Sequence, residues 1–253
     1  MYGRGYGSSG LGIGPPFTPP IILQLLIANG VVFLLENLLG YRFDLLFSVT
    51  PSLVFEHAFL WQPFTYMWLH GNLLHLFFNM ITLWMFGSTL AMAWGPQRFL
   101  RFYLLCGVGA GFVIAAIPYL LYAIGFGGEI GVPTLGASGA IFGVVLAYSL
   151  TWPDRTIALL FPPVAFRAIW MIPIFFLMNL MAGGGNVSHV GHLGGVLVGW
   201  LYMRWRGDAA VHQISWSQLK FRFKRWQMRR KLHSVQYQQW EEQRRREHDR
   251  RFH

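Results

Sequence analysis

The sequence predicts an all-α, polytopic membrane protein, a bundle of six spanning helices with a long loop after the first. Apolar residues make up 54% of the 253-residue chain and charged residues only 12%, a balance far from that of a soluble domain. Apolar runs of spanning or near-spanning length recur at 20–39, 72–94, 99–124, 138–152, 166–183 and 187–205. Net charge is +10, and twelve of the twenty Lys and Arg residues follow Gly207. The excess therefore belongs to the last segment. The expected organisation is a disordered cytoplasmic leader at 1–19, a membrane domain at 20–206 and a basic cytoplasmic tail at 207–253 that is partly an amphipathic helix.

The leader, MYGRGYGSSGLGIGPPFTPP, is rich in Gly, Pro and Ser and has no compact apolar region with a small-residue cleavage site behind it. Span one follows as an uncleaved signal anchor. The loop 40–71 holds one basic residue, Arg42, against Asp44 and Glu56, whereas the turn at 95–101 holds Arg98 and Arg101. After span three comes only Glu129; the turn 153–167 holds Arg155 and Arg167; GGGNVS before span six is uncharged; Arg204, Arg206 and the tail follow. Basic and non-basic connections alternate, so the positive-inside rule puts both termini in the cytoplasm. Spans two, four and six then run from outside to inside. The tail begins WSQLKFRFKRW, with Trp216, Leu219, Phe223 and Trp226 near helical spacing among cations. Directly after a span, an anionic lipid leaflet is the nearer partner and nucleic acid is disfavoured. The distal QYQQWEEQRRREHDRRFH reads as solvated. Cys106 sits in an apolar run and reads as a small buried residue. An inward tail and a single cysteine suit a bacterial inner membrane, an organelle membrane would look similar, and the oligomeric state stays open.

Polar side chains in hydrocarbon are costly and face a cavity or one another. Here they are Ser138 in span four, His192 in span six, and His75 with Asn79 in span two, while His189 and His70 lie nearer the outer ends. Helical rise, counted up from the tryptophan at each inner boundary, gives about 21 Å from Trp152 to Ser138, about 20 Å from Trp205 to His192 and about 22 Å from Trp94 to Asn79. Three helices of the same direction thus bring a serine, a histidine and an asparagine to one level, with His75 one turn above Asn79 on the same face. In an apolar core about 30 Å thick, that level is roughly 8–10 Å below the outer surface. Span four cannot reach that surface as a helix. The preceding loop, GEIGVPTLGA, must dip inward, and irregular backbone at that depth borders protein or a water-filled cavity.

Taken singly, these residues have plain explanations. Gly136, Gly139 and Gly143 suit close helix packing as well as close substrate approach, and a lone serine bonds its own backbone. His189 and His192 stand at i and i+3, but a metal site would need further ligands, and no HExxH is present. No metal or cofactor is expected. A serine that meets a histidine has different chemistry: neutral imidazole takes the hydroxyl proton as the oxygen attacks a carbonyl, then returns it to the leaving amine. Backbone N–H groups at Ser138, with Asn79 and His75, would hold the oxyanion. Phe142, one turn below Ser138, would pack on the imidazole. No acidic residue at that depth in spans two, four or six completes a triad.

Three separated motifs, HGNLLHLFFN at 70–79, GASGAIFG at 136–143 and HVGHLGGVLVG at 189–199, resemble those of the rhomboid family of intramembrane serine proteases. The resemblance covers residues 20–206. It implies that Ser138 is the nucleophile and His192 the general base, with Asn79, His75 and the Ser138 backbone at the oxyanion. His70, Gly136, Gly139, Phe142, Gly195 and Gly199 fall in the same motifs as supporting positions. It further implies that single-span transmembrane protein substrates enter past span five as a gate and are cut near the outer side of the bilayer. The GGG at 183–185 would hinge the outer cap. Two departures stand out: GxxxExxxG at the end of span two reads Gly87, Ala91 and Gly95, and the Trp-Arg pair of the first loop is absent. The alternative is a non-catalytic rhomboid-like protein that binds transmembrane helices for quality control; such a relative is expected to lack Ser138 or His192. A channel or transporter would show paired half-helices or intramembrane carboxylates, neither of which is evident, and an aspartyl protease would need an aspartate in a span.

Overall fold

The computed structural model describes residues 14–159, 164–181 and 189–207, together with Lys224 and Met228. Residues 1–13 of the leader, the GGG at 183–185 and nearly all of the basic tail lie outside the described residues. The chain divides into two compact units, Met1–Arg206 and Gly207–His253.

Helix α1, Pro20–Leu39, opens on a proline and stops at Gly40, whose φ of 71° no longer continues a helix. The first loop is then a folded layer of α2 (Tyr41–Phe47), α3 (Pro51–Glu56), α4 (Gln62–Thr65) and a 3₁₀ turn, Tyr66–Trp68. Side chains of one short segment hold it to the backbone of another. The fully buried Gln62 accepts the Thr50 N–H at 3.0 Å and donates to the Leu45 carbonyl at 3.1 Å. Trp61 Nε1 donates to Leu46 O and Thr65 Oγ1 donates to Phe47 O. Trp61 and Gln62 thus anchor this loop without an arginine.

Span two starts as α5, Leu73–Thr82, capped by Asn72, whose side-chain oxygen accepts the His75 N–H at 2.8 Å. It widens into a π turn at Leu83–Gly87 and ends as α6, Ser88–Trp94. The apolar run gives no sign of that turn. Gly95 reverses the chain into α7, Pro96–Ala123. Helix α8, Ser138–Thr151, has only 14 residues, or about 21 Å. Every residue from Gly139 to Leu150 is buried, as expected of a helix apolar on all sides. It is the centre of the bundle.

The basic turn after α8 contains an antiparallel hairpin, β1 (Thr156–Leu159) with β2 (Val164–Arg167), Thr156 opposite Arg167. Span five was expected from 166, but Phe166 and Arg167 belong to β2; a 3₁₀ turn at Ala168–Trp170 precedes α9, Met171–Met181. Short apolar runs have no period that separates strand from helix. Helix α10, His189–Trp205, packs along α7 and α8.

Pro20–Leu39, Leu73–Trp94 and Pro96–Ala123 are each long and apolar enough to cross a membrane. Their outward faces carry exposed large apolar side chains such as Leu34, Leu38, Phe78 and Leu105, which in water would be an unusual surface. The fold is an all-α, multi-pass membrane bundle.

Candidate active site

Ser138 begins α8, so its backbone N–H is among the first-turn donors that no helical carbonyl can reach. The loop before it is held from the first-loop layer by backbone bonds. Val49 and Thr134 exchange N–H···O bonds of 2.9 and 2.8 Å, Ser52 N donates to Ile130 O, and Gly136 N donates to Tyr66 O at 2.9 Å. Gly136 has φ +128°, and a β-carbon there would lie 2.7 Å from the His75 ring. It leaves room for that imidazole beside the serine.

The glycines of α8 and α10 form one seam. A β-carbon on Gly195 would collide with the Gly139 carbonyl oxygen, and one on Gly199 would lie 3.2 Å from Gly143 Cα. On its other side Gly139 meets Ala110, and Gly143 meets Cys106, both on α7. Gly139 and Gly143, which the sequence suits to packing as well as to substrate approach, here pack against α10 and α7. Such contact brings two helix backbones closer than any larger residue permits.

At the top of the seam Ser138 Oγ and His192 Nε2 lie 2.8 Å apart. Assigning the proton to His192 Nδ1 lets the hydroxyl donate and Nε2 accept. His192 is buried, and its Nδ1 has no hydrogen-bond partner among the described residues. The Phe142 ring stacks on the imidazole, centroids 4.2 Å apart and planes 10° from parallel. Asn79 is buried, and its Nδ2 is a donor without a partner among the described residues. His75 lies against Gly136, and the fully buried His70 meets it edge-on at 5.1 Å. Burial, reinforced by His75, lowers the His70 imidazole to about 3, so it stays neutral. His189 points elsewhere, toward Phe176 of α9, ring to ring at 5.7 Å.

The arrangement contains a hydroxyl within hydrogen-bond distance of an imidazole, an aromatic ring stacked on that imidazole, and, in Asn79 Nδ2, a buried donor without a partner among the described residues. The family model of the Rhomboid domain matches residues 57–207, more than half of the chain. The chain belongs to the rhomboid family. This rhomboid is 29% identical over 202 residues to the mouse Presenilin-associated rhomboid-like protein, mitochondrial, covering 77% of this chain and 49% of that one. It is 30% identical to the Arabidopsis thaliana RHOMBOID-like protein 12, mitochondrial (80% of this chain, 60% of that one). It is 33% identical to the Saccharomyces cerevisiae Rhomboid protein 1, mitochondrial (53% and 38%). The chain spans about half the length of the mouse relative. All three names say mitochondrial, so these relatives lend nothing to the expectation of a bacterial inner membrane.

Two residues that the sequence reading passed over matter here. Gln62 has no signal beyond following Trp61. Glu36 had one, being an acidic residue inside an apolar run; in the structure it is buried in α1, and its carboxylate accepts the His70 N–H at 2.8 Å. The expectation that no carboxylate lies within a span is corrected by it.

Gly195→Ala is expected to force α10 off α8 and to destabilise this rhomboid by about 1–3 kcal/mol, as overpacking does. Gly199→Ala, whose added methyl needs only a slight give, should cost less. Thermal unfolding of the two purified variants against wild type in the same detergent checks the order.

Proposed function

We propose that this rhomboid is an intramembrane serine endopeptidase that cuts single-span transmembrane proteins near the outer side of the bilayer, using Ser138 as nucleophile and His192 as general base. The observation that carries the reading is the 2.8 Å Ser138–His192 contact, with Phe142 stacked on the base. Ser138 Oγ attacks the scissile carbonyl carbon as its proton passes to His192 Nε2. The Ser138 N–H, Asn79 Nδ2 and His75 donate to the oxyanion; because they are fixed beforehand, they need no reorganisation as charge develops. Collapse breaks the C–N bond, and His192 returns the proton to the amine. A water deprotonated by His192 then hydrolyses the acyl-serine and releases the new carboxylate. Two groups suffice because the stack, rather than a carboxylate, sets the plane of the imidazole.

The substrate enters between α9 and span two. Phe175 of α9 meets Phe86 of the π turn, ring centroids 6.3 Å apart, a contact that holds α9 against the lower half of span two. Charge on the connections supports an orientation in which both termini share the side of the basic turns, and the tail after Gly207 lies on an anionic leaflet.

With a labelled single-span substrate in liposomes, Ser138→Ala and His192→Ala should each abolish cleavage, and undiminished turnover by either would refute the dyad. Asn79→Ala should lower kcat about 10²–10³-fold, the usual loss for one oxyanion donor. A reducible cross-link between Phe86→Cys and Phe175→Cys should stop cleavage until it is reduced; unchanged turnover in the locked protein contradicts the gate. An impermeant thiol reagent applied from the side opposite the tail should reach a cysteine introduced at Glu56, and labelling from the tail side instead would invert the orientation.

A further inference from the structure

Tyr66, at the start of the 3₁₀ turn Tyr66–Trp68, is fully buried. A hydroxyl inside protein needs a partner, and that of Tyr66 donates to the Gly107 carbonyl of α7 at 2.8 Å. The stretch CGVGAG at 106–111 of α7 makes the space. A β-carbon on Gly107 would collide with Met67 of the same turn, and one on Gly111 with the Pro63 carbonyl oxygen and the Tyr66 ring. Gly109, between them, faces Val198 of α10 instead. Residues four apart share a helix face, so Gly107 and Gly111 give α7 a bare strip in which the turn lies.

The same tyrosine meets the chain on both sides of Ser138. Its carbonyl accepts the Gly136 N–H at 2.9 Å, two residues before the serine. Its hydroxyl oxygen would lie 2.9 Å from a β-carbon on Gly139, the residue after the serine. We propose that Tyr66 is a positioning residue for the nucleophile: its hydroxyl, anchored on Gly107, holds the turn whose carbonyl sets the Gly136 peptide, and with it the direction in which Ser138 and its N–H leave the loop. The catalytic consequence rests on the protease reading, whereas the anchoring of Gly136 does not. A turn free to shift would carry the Gly136 peptide with it, and groups that act on a transition state work by being placed beforehand.

Tyr66→Phe keeps the ring and deletes only the anchoring bond. The rate at which a fluorophosphonate probe labels Ser138 should fall about 3–10-fold, the loss expected for one neutral hydrogen bond. For a single-span substrate kcat should fall with it, while KM changes less than about twofold. The end point of labelling should stay at the wild-type level, because every folded site still reacts. Tyr103→Phe is the control. Its hydroxyl is also buried on α7 and its ring meets Trp68 of the same turn, but among the described residues no hydrogen bond joins that hydroxyl to the turn. It should label at the wild-type rate.

The test uses the full chain in liposomes: labelling and cleavage kinetics of wild type, Tyr66→Phe and Tyr103→Phe. A third readout, independent of catalysis, is hydrogen exchange of the Gly136 amide in the same three proteins, which should be about 3–10-fold faster in Tyr66→Phe alone. A lower labelling end point with an unchanged rate per labelled site would make Tyr66 a stability residue only and overturn the positioning role. Equal slowing in Tyr103→Phe would overturn it too. Unchanged Gly136 exchange in Tyr66→Phe refutes the anchor itself. If Ser138→Ala still cleaves, the protease reading fails and takes the catalytic consequence with it, while Gly136 exchange decides the anchor on its own.

Discussion

The site depends on how closely two helix backbones approach. Lipid offers apolar side chains as much contact as another helix does, so association inside a membrane rests on packing and hydrogen bonds. Gly139 and Gly143 of α8 meet Gly195 and Gly199 of α10 without side chains between them. The Ser138–His192 hydrogen bond at the top of this seam follows, because neither side chain is long. Ser138 reaches one atom past its β-carbon, and a wider spacing would leave its hydroxyl short of the imidazole. The stacked Phe142 then fixes what the seam leaves free, the rotation of the ring.

A second brace comes from outside the bundle core. The first-loop layer holds the segment before Ser138 through the Val49–Thr134 bridge and the Tyr66–Gly136 bond, and Gln62 ties that layer together. Ser138 is thus held on one side by helix packing and on the other by backbone pairing. Irregular backbone at membrane depth stays satisfied because protein covers it. The exposed apolar faces of α1, α5 and α7 take no part in this and are free to meet lipid.

Much of the arrangement is legible in the sequence because helices in a bilayer obey simple arithmetic. A fixed rise per residue, counted from a tryptophan at one end of each helix, puts Ser138 and His192 at one depth, and the two side chains do meet. Phe142, four residues after Ser138, lands on the imidazole for the same reason. Other features leave no periodic trace. Gln62 works through carbonyls 16 and 17 residues away, a tertiary relation that no local pattern encodes. The hairpin at 156–167 hides in an apolar run too short to have a readable period. Glu36 is visible as an acidic residue among leucines, but its meaning needs His70, which lies outside α1.

The π turn in span two has a bearing on how this helix can drift over generations. Its extra residue turns the upper half, with His75 and Asn79, relative to the lower half, where Phe86 meets Tyr148 and Phe175. One residue is only about 1.5 Å of length but about 100° of rotation. Losing it would scarcely shorten the span, yet everything above would face another way. Span two can therefore exchange its lipid-facing residues freely while its residue count between Asn79 and Phe86 stays under tight constraint.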